Sequence, residues 1–96
     1  MTTFQGEEEG SMQVEHQVTD HRFVVQLPEG VARLEYSLQP PWVNIFHTWV
    51  PDSLRGKGVA DALMRACADW STQQHLQMVA TCSYALRWLD RHKNRK

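Results

Sequence analysis

The stretch Val50-Pro51-Asp52-Ser53-Leu54-Arg55-Gly56-Lys57-Gly58-Val59-Ala60 decides the fold, because it joins a predicted strand to a predicted helix through a glycine loop. The run 42–50 ahead of Pro51 is rich in β-formers, and beyond Gly58 the apolar residues recur at helical spacing. The first turn of a helix leaves backbone N–H groups free, and the helix dipole favours negative charge there. Gly56 and Gly58 have no side chain to block a phosphate. The loop is therefore a candidate cradle for a diphosphate.

Two better-known phosphate loops do not fit this stretch. The pattern G-x-x-x-x-G-K-[ST] is not present in the sequence, and Asp61 occupies the position of the third glycine of G-x-G-x-x-G. A glycine loop between a strand and a helix can also be a simple connector. The residues alone leave both interpretations open.

Upstream of the loop, the sequence predicts four mostly antiparallel strands. We expect them at 12–18, 21–27, 31–38 and 42–50, with turns at Asp20-His21, Pro28-Glu29-Gly30 and Pro40-Pro41. In the third strand, apolar residues alternate with polar ones, which is typical of a half-buried antiparallel strand. The fourth strand is β-rich on both faces, so we expect a central strand that is covered on both sides.

Downstream of the loop, the apolar stripe predicts a helix over 58–75. Met78 to Cys82 indicates a short fifth strand, and Ser83 can cap a second helix. The fourth strand, the first helix and the fifth strand form a βαβ unit, whose strands are parallel and whose crossover is right-handed. The predicted fold is α+β, a mixed and mostly antiparallel sheet of about five strands with two helices on it.

Length and composition set further bounds. The 96 residues fit one compact domain, expected at 12–92 between a disordered segment, 1–11, and a basic tail, 93–96. The two cysteines lack C-x-x-C spacing, which predicts reduced thiols. The histidines lack the spacing of metal ligands, which predicts no metal site. The polar start lacks a signal-peptide pattern, and no run reaches the ~20 apolar residues that span a membrane. These features predict a cytoplasmic protein without membrane contact.

The order of elements and the loop together resemble the GNAT superfamily of N-acetyltransferases, in its small single-domain YjdJ-type branch. The resemblance covers roughly residues 13–92 and rests on four pieces of sequence. These are His47-Thr48-x-Val50-Pro51, then Leu54-Arg55-Gly56-Lys57-Gly58-Val59-Ala60, then Leu63, and finally Cys82 with Tyr84 at the fifth strand. Within the second piece, Arg55 to Ala60 fit the acyl-CoA signature [R/Q]-x-x-G-x-[G/A]. The chain departs from the branch at Trp49, at its short basic end, and at Ala80-Thr81-Cys82-Ser83-Tyr84, where Pro-x-Cys-Pro-Phe is common.

The resemblance implies transfer of an acetyl group from acetyl-CoA to an amine, which could be a protein lysine, an N-terminus or a small molecule. Backbone amides of the loop would bind the diphosphate, and the fourth strand would pair with the pantetheine arm. The implied cofactor-binding residues are Phe46, Thr48, Val50, Arg55, Gly56, Lys57, Gly58, Val59 and Ala60.

Four side chains are candidates for the chemistry. His47 has a reference pKa of about 6.5 and could be the general base for the amine, or it could be a histidine held by core hydrogen bonds. Glu35, on the neighbouring strand, is a weaker candidate base. Cys82 could accept the acetyl group as a relay or could simply line the acetyl pocket. Tyr84 could protonate the departing CoA thiolate or could be a packed tyrosine.

Two other functions remain open at this point. The chain could be a non-catalytic acyl-CoA-binding or sensor module that acts through a protein partner. Its basic end, 87–96, could contact nucleic acid or an acidic protein. Counting residues along the fourth strand places Trp42 and Trp49 on opposite faces, in the core and the pocket wall, which argues against a nucleic-acid platform. We expect a monomer or a weak dimer.

Overall fold

The computed structural model describes residues 13–93 of the chain, and the side chains of 13–92. Its strands are β1 Val14–Gln17, β2 Arg22–Leu27, β3 Gly30–Gln39, β4 Trp42–Trp49 and β5 Gln77–Ala80, and its α-helices are α1 Val59–Gln73 and α2 Ser83–Lys93. The predicted disordered segment 1–11 lies outside the described residues, as do residues 94–96 of the predicted basic tail.

The strands form one five-stranded sheet in the order β1-β2-β3-β4-β5. The first four pair antiparallel as successive hairpins, and β4 pairs parallel with β5 through the α1 crossover. Parallel neighbours need a long connection of this kind, because the chain must return to the same end of the sheet. The predicted α+β fold, with its mixed and mostly antiparallel sheet and two helices, is confirmed.

The core lies between the two helices and one face of the sheet. Strand residues at alternate positions, such as Phe23, Leu34 and Ile45, point to this helix-covered face and are buried. From α1, Leu63 and Met64 are fully buried against them. Full burial of such a side chain contributes about 1.5–3 kcal/mol. This face fixes the position of α1, and hence of the loop ahead of it.

Two boundaries differ from the prediction near the N-terminal edge. Val18 was expected in the first strand, but β1 ends at Gln17 and Val18–Asp20 is a short 3-10 turn. His21 follows in the left-handed region with φ 54°, and its N–H bonds to the Val18 carbonyl. An apolar residue at a strand-like spacing does not reveal such a turn, because the turn leaves Val18 exposed.

A β-bulge interrupts the alternation of β4. Glu35 lies opposite His47, whereas the next residue of β3, Tyr36, lies opposite Ile45, so Phe46 is an extra residue in β4. A bulge of this kind reverses which side chains face which side of the sheet. The prediction that Trp42 and Trp49 lie on opposite faces is therefore wrong, because it assumed an unbroken strand.

The second face of the sheet carries no helix among the described residues. Trp49 lies opposite Arg33 and Trp42 opposite Gln39, and all of these residues share this uncovered face. The two tryptophans are 40% and 48% exposed, so neither belongs to the core. Exposed large apolar residues on this face, which we call the open face, are Val31, Trp42, Phe46, Trp49 and Val79. The prediction that β4 is covered on both sides is wrong, since β-rich composition does not reveal what packs on each face.

Candidate functional site

The loop before α1 is held at its base by one buried side chain. Asp52–Leu54 form a 3-10 turn, in which the N–H of Leu54 bonds to the Pro51 carbonyl at 2.9 Å and the Leu54 side chain is 2% exposed. Gly56 and Gly58 then adopt φ values of 80° and 79°. Such left-handed conformations favour glycine, because other residues place Cβ against the following carbonyl.

The start of α1 leaves its backbone donors available. Gly58 occupies the cap position, and no side chain of residues 13–92 caps the helix. A Cβ added at Gly56 or at Gly58 would meet no atom within 4 Å, so the loop faces open space. The glycines are therefore required for the backbone conformation, and the amides of the first turn have no side-chain partner at the cap.

A cleft of about 630 Å³ lies in front of these amides. Its walls come from the end of β4, the loop, the first turn of α1 and the first turns of α2. The lining residues are Thr48, Val50, Leu54, Arg55, Gly56, Gly58, Val59, Ala60, Asp61, Ser83, Tyr84 and Arg87.

β4 and β5 separate beside this cleft. Their pairing ends at Ile45 opposite Ala80, and the N–H groups of Thr81 and Cys82 both bond to the Ile45 carbonyl, at 3.1 and 3.3 Å. Beyond that point β4 continues to Trp49 without a partner strand on this side among residues 13–93. The separation leaves a free strand edge next to Thr48 and Val50, which is the geometry that pairing with an extended ligand requires.

Cys82 sits at the narrow end of this gap. Its Sγ lies 3.4 Å from Thr48 Oγ1, across from the start of α2. Burial raises the pKa of the Cys82 thiol, but hydrogen bonds with the Thr48 side chain and with the backbone of Ala85, Tyr84 and Thr48 outweigh it, so the pKa is lowered. The other thiol, Cys67, is buried in the core, which raises its pKa to about 12.

Tyr84 lines the cleft one residue into α2. Burial and the nearby Asp61 carboxylate raise the pKa of its phenol, with Arg91 acting in the opposite direction. The phenol therefore holds its proton at neutral pH and can act as a hydrogen-bond donor or as an acid.

Asp61 joins the two helices at the cleft. Its Oδ1 accepts a hydrogen bond from Trp88 Nε1 at 2.7 Å, and its Oδ2 accepts one from Arg65 Nε at 2.6 Å. Burial alone would raise the pKa of this carboxyl, but the two hydrogen bonds and the charge of Arg65 lower it. The sequence reasoning missed Asp61, although its position in the first helical turn, four residues before an arginine, was a visible signal.

Most of the cofactor-binding residues that the resemblance implied line this cleft, and some lie outside its lining. Those that line the cleft are Thr48, Val50, Arg55, Gly56, Gly58, Val59 and Ala60, joined by Tyr84, and Cys82 adjoins it. Phe46, His47 and Lys57 do not line it. Arg87 does, although the sequence reasoning assigned it to the basic end 87–96, as a possible contact for nucleic acid or an acidic protein.

His47 lies on the open face, exposed to solvent and opposite Glu35. The alternative that it is a core histidine is therefore wrong. The Glu35 carboxylate pairs with Arg33 at 3.6 Å. His47 and Glu35 are thus neighbours, as predicted, but on the side of the sheet away from the helices.

Within the described part of the chain, no group of three or more His, Cys, Asp or Glu side chains could hold a metal ion. Neither α-helix found in residues 13–93 has the length and apolar character needed to cross a bilayer.

The fold is that of the GCN5-like N-acetyltransferases. A solved NMR structure of a GCN5-like protein from Staphylococcus aureus matches with a TM-score of 0.69 and 26% sequence identity, covering 84% of this chain and 80% of that one. The family model for GCN5-related N-acetyltransferase matches residues 22–96. The chain therefore belongs to the GCN5-related N-acetyltransferase family.

Its similarity to curated proteins agrees with this assignment. The chain is 32% identical to protein NATD1 of Mus musculus over 87 residues, which covers 86% of this chain and 78% of that protein. It is 33% identical to protein NATD1 of Gallus gallus over 82 residues, covering 81% and 74%.

Proposed function

We propose that this protein is an acetyl-CoA-dependent N-acetyltransferase that acetylates an amine. The observation that carries the proposal is the uncapped start of α1 at Gly58, which faces a cleft that continues to the free edge of β4. A diphosphate suits the first part of this cleft, and an extended pantetheine arm suits the second.

The loop supplies most of the cofactor affinity in this proposal. Backbone amides from Gly56 to Ala60 hold the diphosphate, and each hydrogen bond to a charged acceptor contributes about 1.5–3 kcal/mol before the cost of ordering the ligand. The dipole of α1 adds about 0.3–1 kcal/mol. Arg55 lines the cleft and contributes positive charge, whereas Lys57 lies outside the lining and acts only at a distance.

The transfer step places the thioester beside the gap between β4 and β5. The amine nitrogen attacks the thioester carbonyl carbon, and a backbone N–H near Phe46 to Thr48 stabilises the oxygen that becomes negative. The carbon–sulfur bond then breaks, and the Tyr84 phenol protonates the CoA thiolate. The proton that the amine loses goes to His47 or to water leading to it.

The acceptor amine approaches from the open face in this scheme. His47 lies on that face, and two exposed aromatic residues, Phe46 and Trp49, flank it along β4. The cofactor occupies the helix side, so the two substrates meet at the gap where β4 and β5 separate. Cys82 adjoins the same gap, where it either lines the acetyl pocket or accepts the acetyl group first. Both cysteines are free thiols, which fits a reducing cytoplasmic environment.

A second candidate function is binding of acyl-CoA without turnover, with the bound state passed to a protein partner. The position of His47 favours it, because His47 does not line the cleft. Cofactor binding in the cleft does not require His47, whereas catalysis requires His47 to reach an amine through the gap.

Calorimetric titration of acetyl-CoA into the wild type, Gly58→Ala and Gly58→Glu tests the cofactor site. Both variants carry the same backbone strain, so Gly58→Ala is the matched control for the charge and bulk of glutamate. We expect Gly58→Glu to abolish binding and Gly58→Ala to keep part of it. Wild-type affinity in Gly58→Glu would refute the proposed diphosphate site.

Turnover separates the two candidate functions. Wild type is incubated with acetyl-CoA and a panel of peptide and small-molecule amines, and free CoA thiol is measured. His47→Ala should lose turnover while its affinity for acetyl-CoA stays unchanged. Tight binding with no turnover on any amine would favour the non-catalytic module.

A further inference from the structure

Two arginines line the cleft, one on each wall. Arg55 belongs to the loop and is already engaged, because its Nε lies 3.3 Å from Asp52 Oδ1 and 3.4 Å from the Val50 carbonyl oxygen. Arg87 belongs to α2 on the opposite wall and forms no ion pair with another residue of the described part of the chain. Toward the described residues, the α2 wall therefore offers a guanidinium whose donors are available.

The fold holds Arg87 at the cleft through its neighbour Trp88. The Trp88 indole is 5% exposed and donates to Asp61 in the first turn of α1. His92 stacks on the indole at 3.7 Å, and His92 Nδ1 lies 2.8 Å from the Trp88 carbonyl oxygen. These contacts fix the rotation of α2 about its axis. Ser83 and Tyr84 at its start and Arg87 one helical turn later therefore face the cleft together.

The one carboxylate in the cleft lining does not neutralise Arg87. Among the described residues that line the cleft, Asp61 is the only acidic one, and its two oxygens are taken by Trp88 and Arg65. The remaining free charge that faces the cleft is positive. A planar guanidinium with paired N–H donors matches phosphate oxygens, and it does so more specifically than a lysine ammonium.

We propose that Arg87 binds a phosphate group of coenzyme A from the α2 wall, opposite the glycine loop. The inference rests on the proposed function, since it assigns a residue of this chain to recognition of the same cofactor. The loop grips the phosphate through backbone amides, and Arg87 closes the other side of the cleft over it. The phosphate is either part of the diphosphate or the terminal 3′-phosphate of the ribose.

The test measures dissociation constants of CoA and 3′-dephospho-CoA by calorimetry for the wild type, Arg87→Ala and Arg87→Gln. Arg91→Ala is the matched control, because Arg91 lies one turn further along α2 and does not line the cleft. We expect both Arg87 variants to bind CoA about 10–100-fold more weakly, and Arg91→Ala to change it less than about 3-fold. Arg87 is exposed, so melting temperatures close to the wild type are expected and are measured alongside.

The two ligands identify the phosphate. A contact with the 3′-phosphate predicts that dephospho-CoA binds the wild type and the Arg87 variants equally, whereas a contact with the diphosphate predicts the same loss for both ligands. CoA affinity in Arg87→Ala equal to that of the wild type or of Arg91→Ala would overturn the role of Arg87 and leave the proposed function standing. Absence of CoA binding by the folded wild type would refute the proposed function and this inference together. Binding that depends on Arg87, without turnover, would refute only the transferase step.

Discussion

Replacing Asp61 by alanine tests how α2 is attached to the cleft. The change removes the acceptor of the Trp88 indole N–H, which is buried with its side chain at 5% exposure, and the partner of Arg65. A buried donor left without an acceptor costs about 1–3 kcal/mol. The Arg65 pair is 64% exposed on the arginine side, and an exposed i,i+4 pair contributes about 0.3–0.5 kcal/mol.

The two contributions add to about 1.3–3.5 kcal/mol of lost stability, most of it from the indole. For a domain of this size, that loss lowers the melting temperature by about 5–28 °C. Urea unfolding followed by tryptophan fluorescence gives the free energy directly. Asp61→Asn keeps the Oδ1 acceptor for Trp88 and should lose only about 1 kcal/mol.

Two comparisons isolate the indole. Arg65→Ala removes the exposed pair alone and should cost about 0.5 kcal/mol. In a Trp88→Phe background the indole N–H donor is absent. Asp61→Ala should therefore lower the free energy of unfolding much less there than in the wild type. If Asp61→Ala destabilises the protein no more than Arg65→Ala does, the indole hydrogen bond is not what fixes α2, and the argument for the placement of Arg87 loses its support.

Three further predictions concern separate parts of the molecule. Burial and nearby His21 lower the pKa of His16 below 6.5, so His16 takes up a proton at higher pH in the unfolded chain than in the folded one. The free energy of unfolding should therefore fall as pH drops through 6.5, and His16→Asn should reduce that dependence in urea titrations. Iodoacetamide near neutral pH should modify Cys82, whose pKa is lowered, and spare Cys67, whose pKa is about 12. Thr48→Val should slow the reaction of Cys82, and acetyl-CoA should protect it. Equal labelling of both cysteines, measured by mass spectrometry, would contradict this prediction. Gly56→Ala should cost about 1 kcal/mol in thermal unfolding, because φ is 80° there while space is free.

The sequence predicted the order of elements and the parallel β4–β5 pair because strong local signals marked most of the boundaries. Pro28-Glu29-Gly30 and Pro40-Pro41 marked turns, and the apolar stripe of α1 followed the glycine loop directly. The loop residues were identified as a candidate site for the same reason, because glycine itself favours the left-handed conformation that Gly56 and Gly58 adopt. Local chemistry of this kind can be read from a single sequence.

What the sequence could not predict depends on tertiary contacts. Arg87 appeared to belong to a basic end, because its place on the cleft wall follows from the bond between Trp88 and Asp61, which are 27 residues apart. Likewise, the low-pKa environment of Cys82 depends on Thr48, which is 34 residues away. Neither spacing follows a repeat that a sequence pattern could reveal.

The β-bulge at Phe46 links these features into one arrangement. Without the extra residue, alternation from Val43 and Ile45 would turn His47 toward the helices and Thr48 toward the open face. With it, Thr48 points to the cleft beside Cys82, and His47 points to the open face. The pairing of β4 with β5 stops at Ile45, the residue before the bulge. The gap between β4 and β5 therefore opens at the point where the β4 side chains change the face of the sheet on which they lie. Bulges recur next to active sites because they redirect side chains in this way, and here one inserted residue separates the helix side, proposed to bind the cofactor, from the open face, proposed to receive the acceptor.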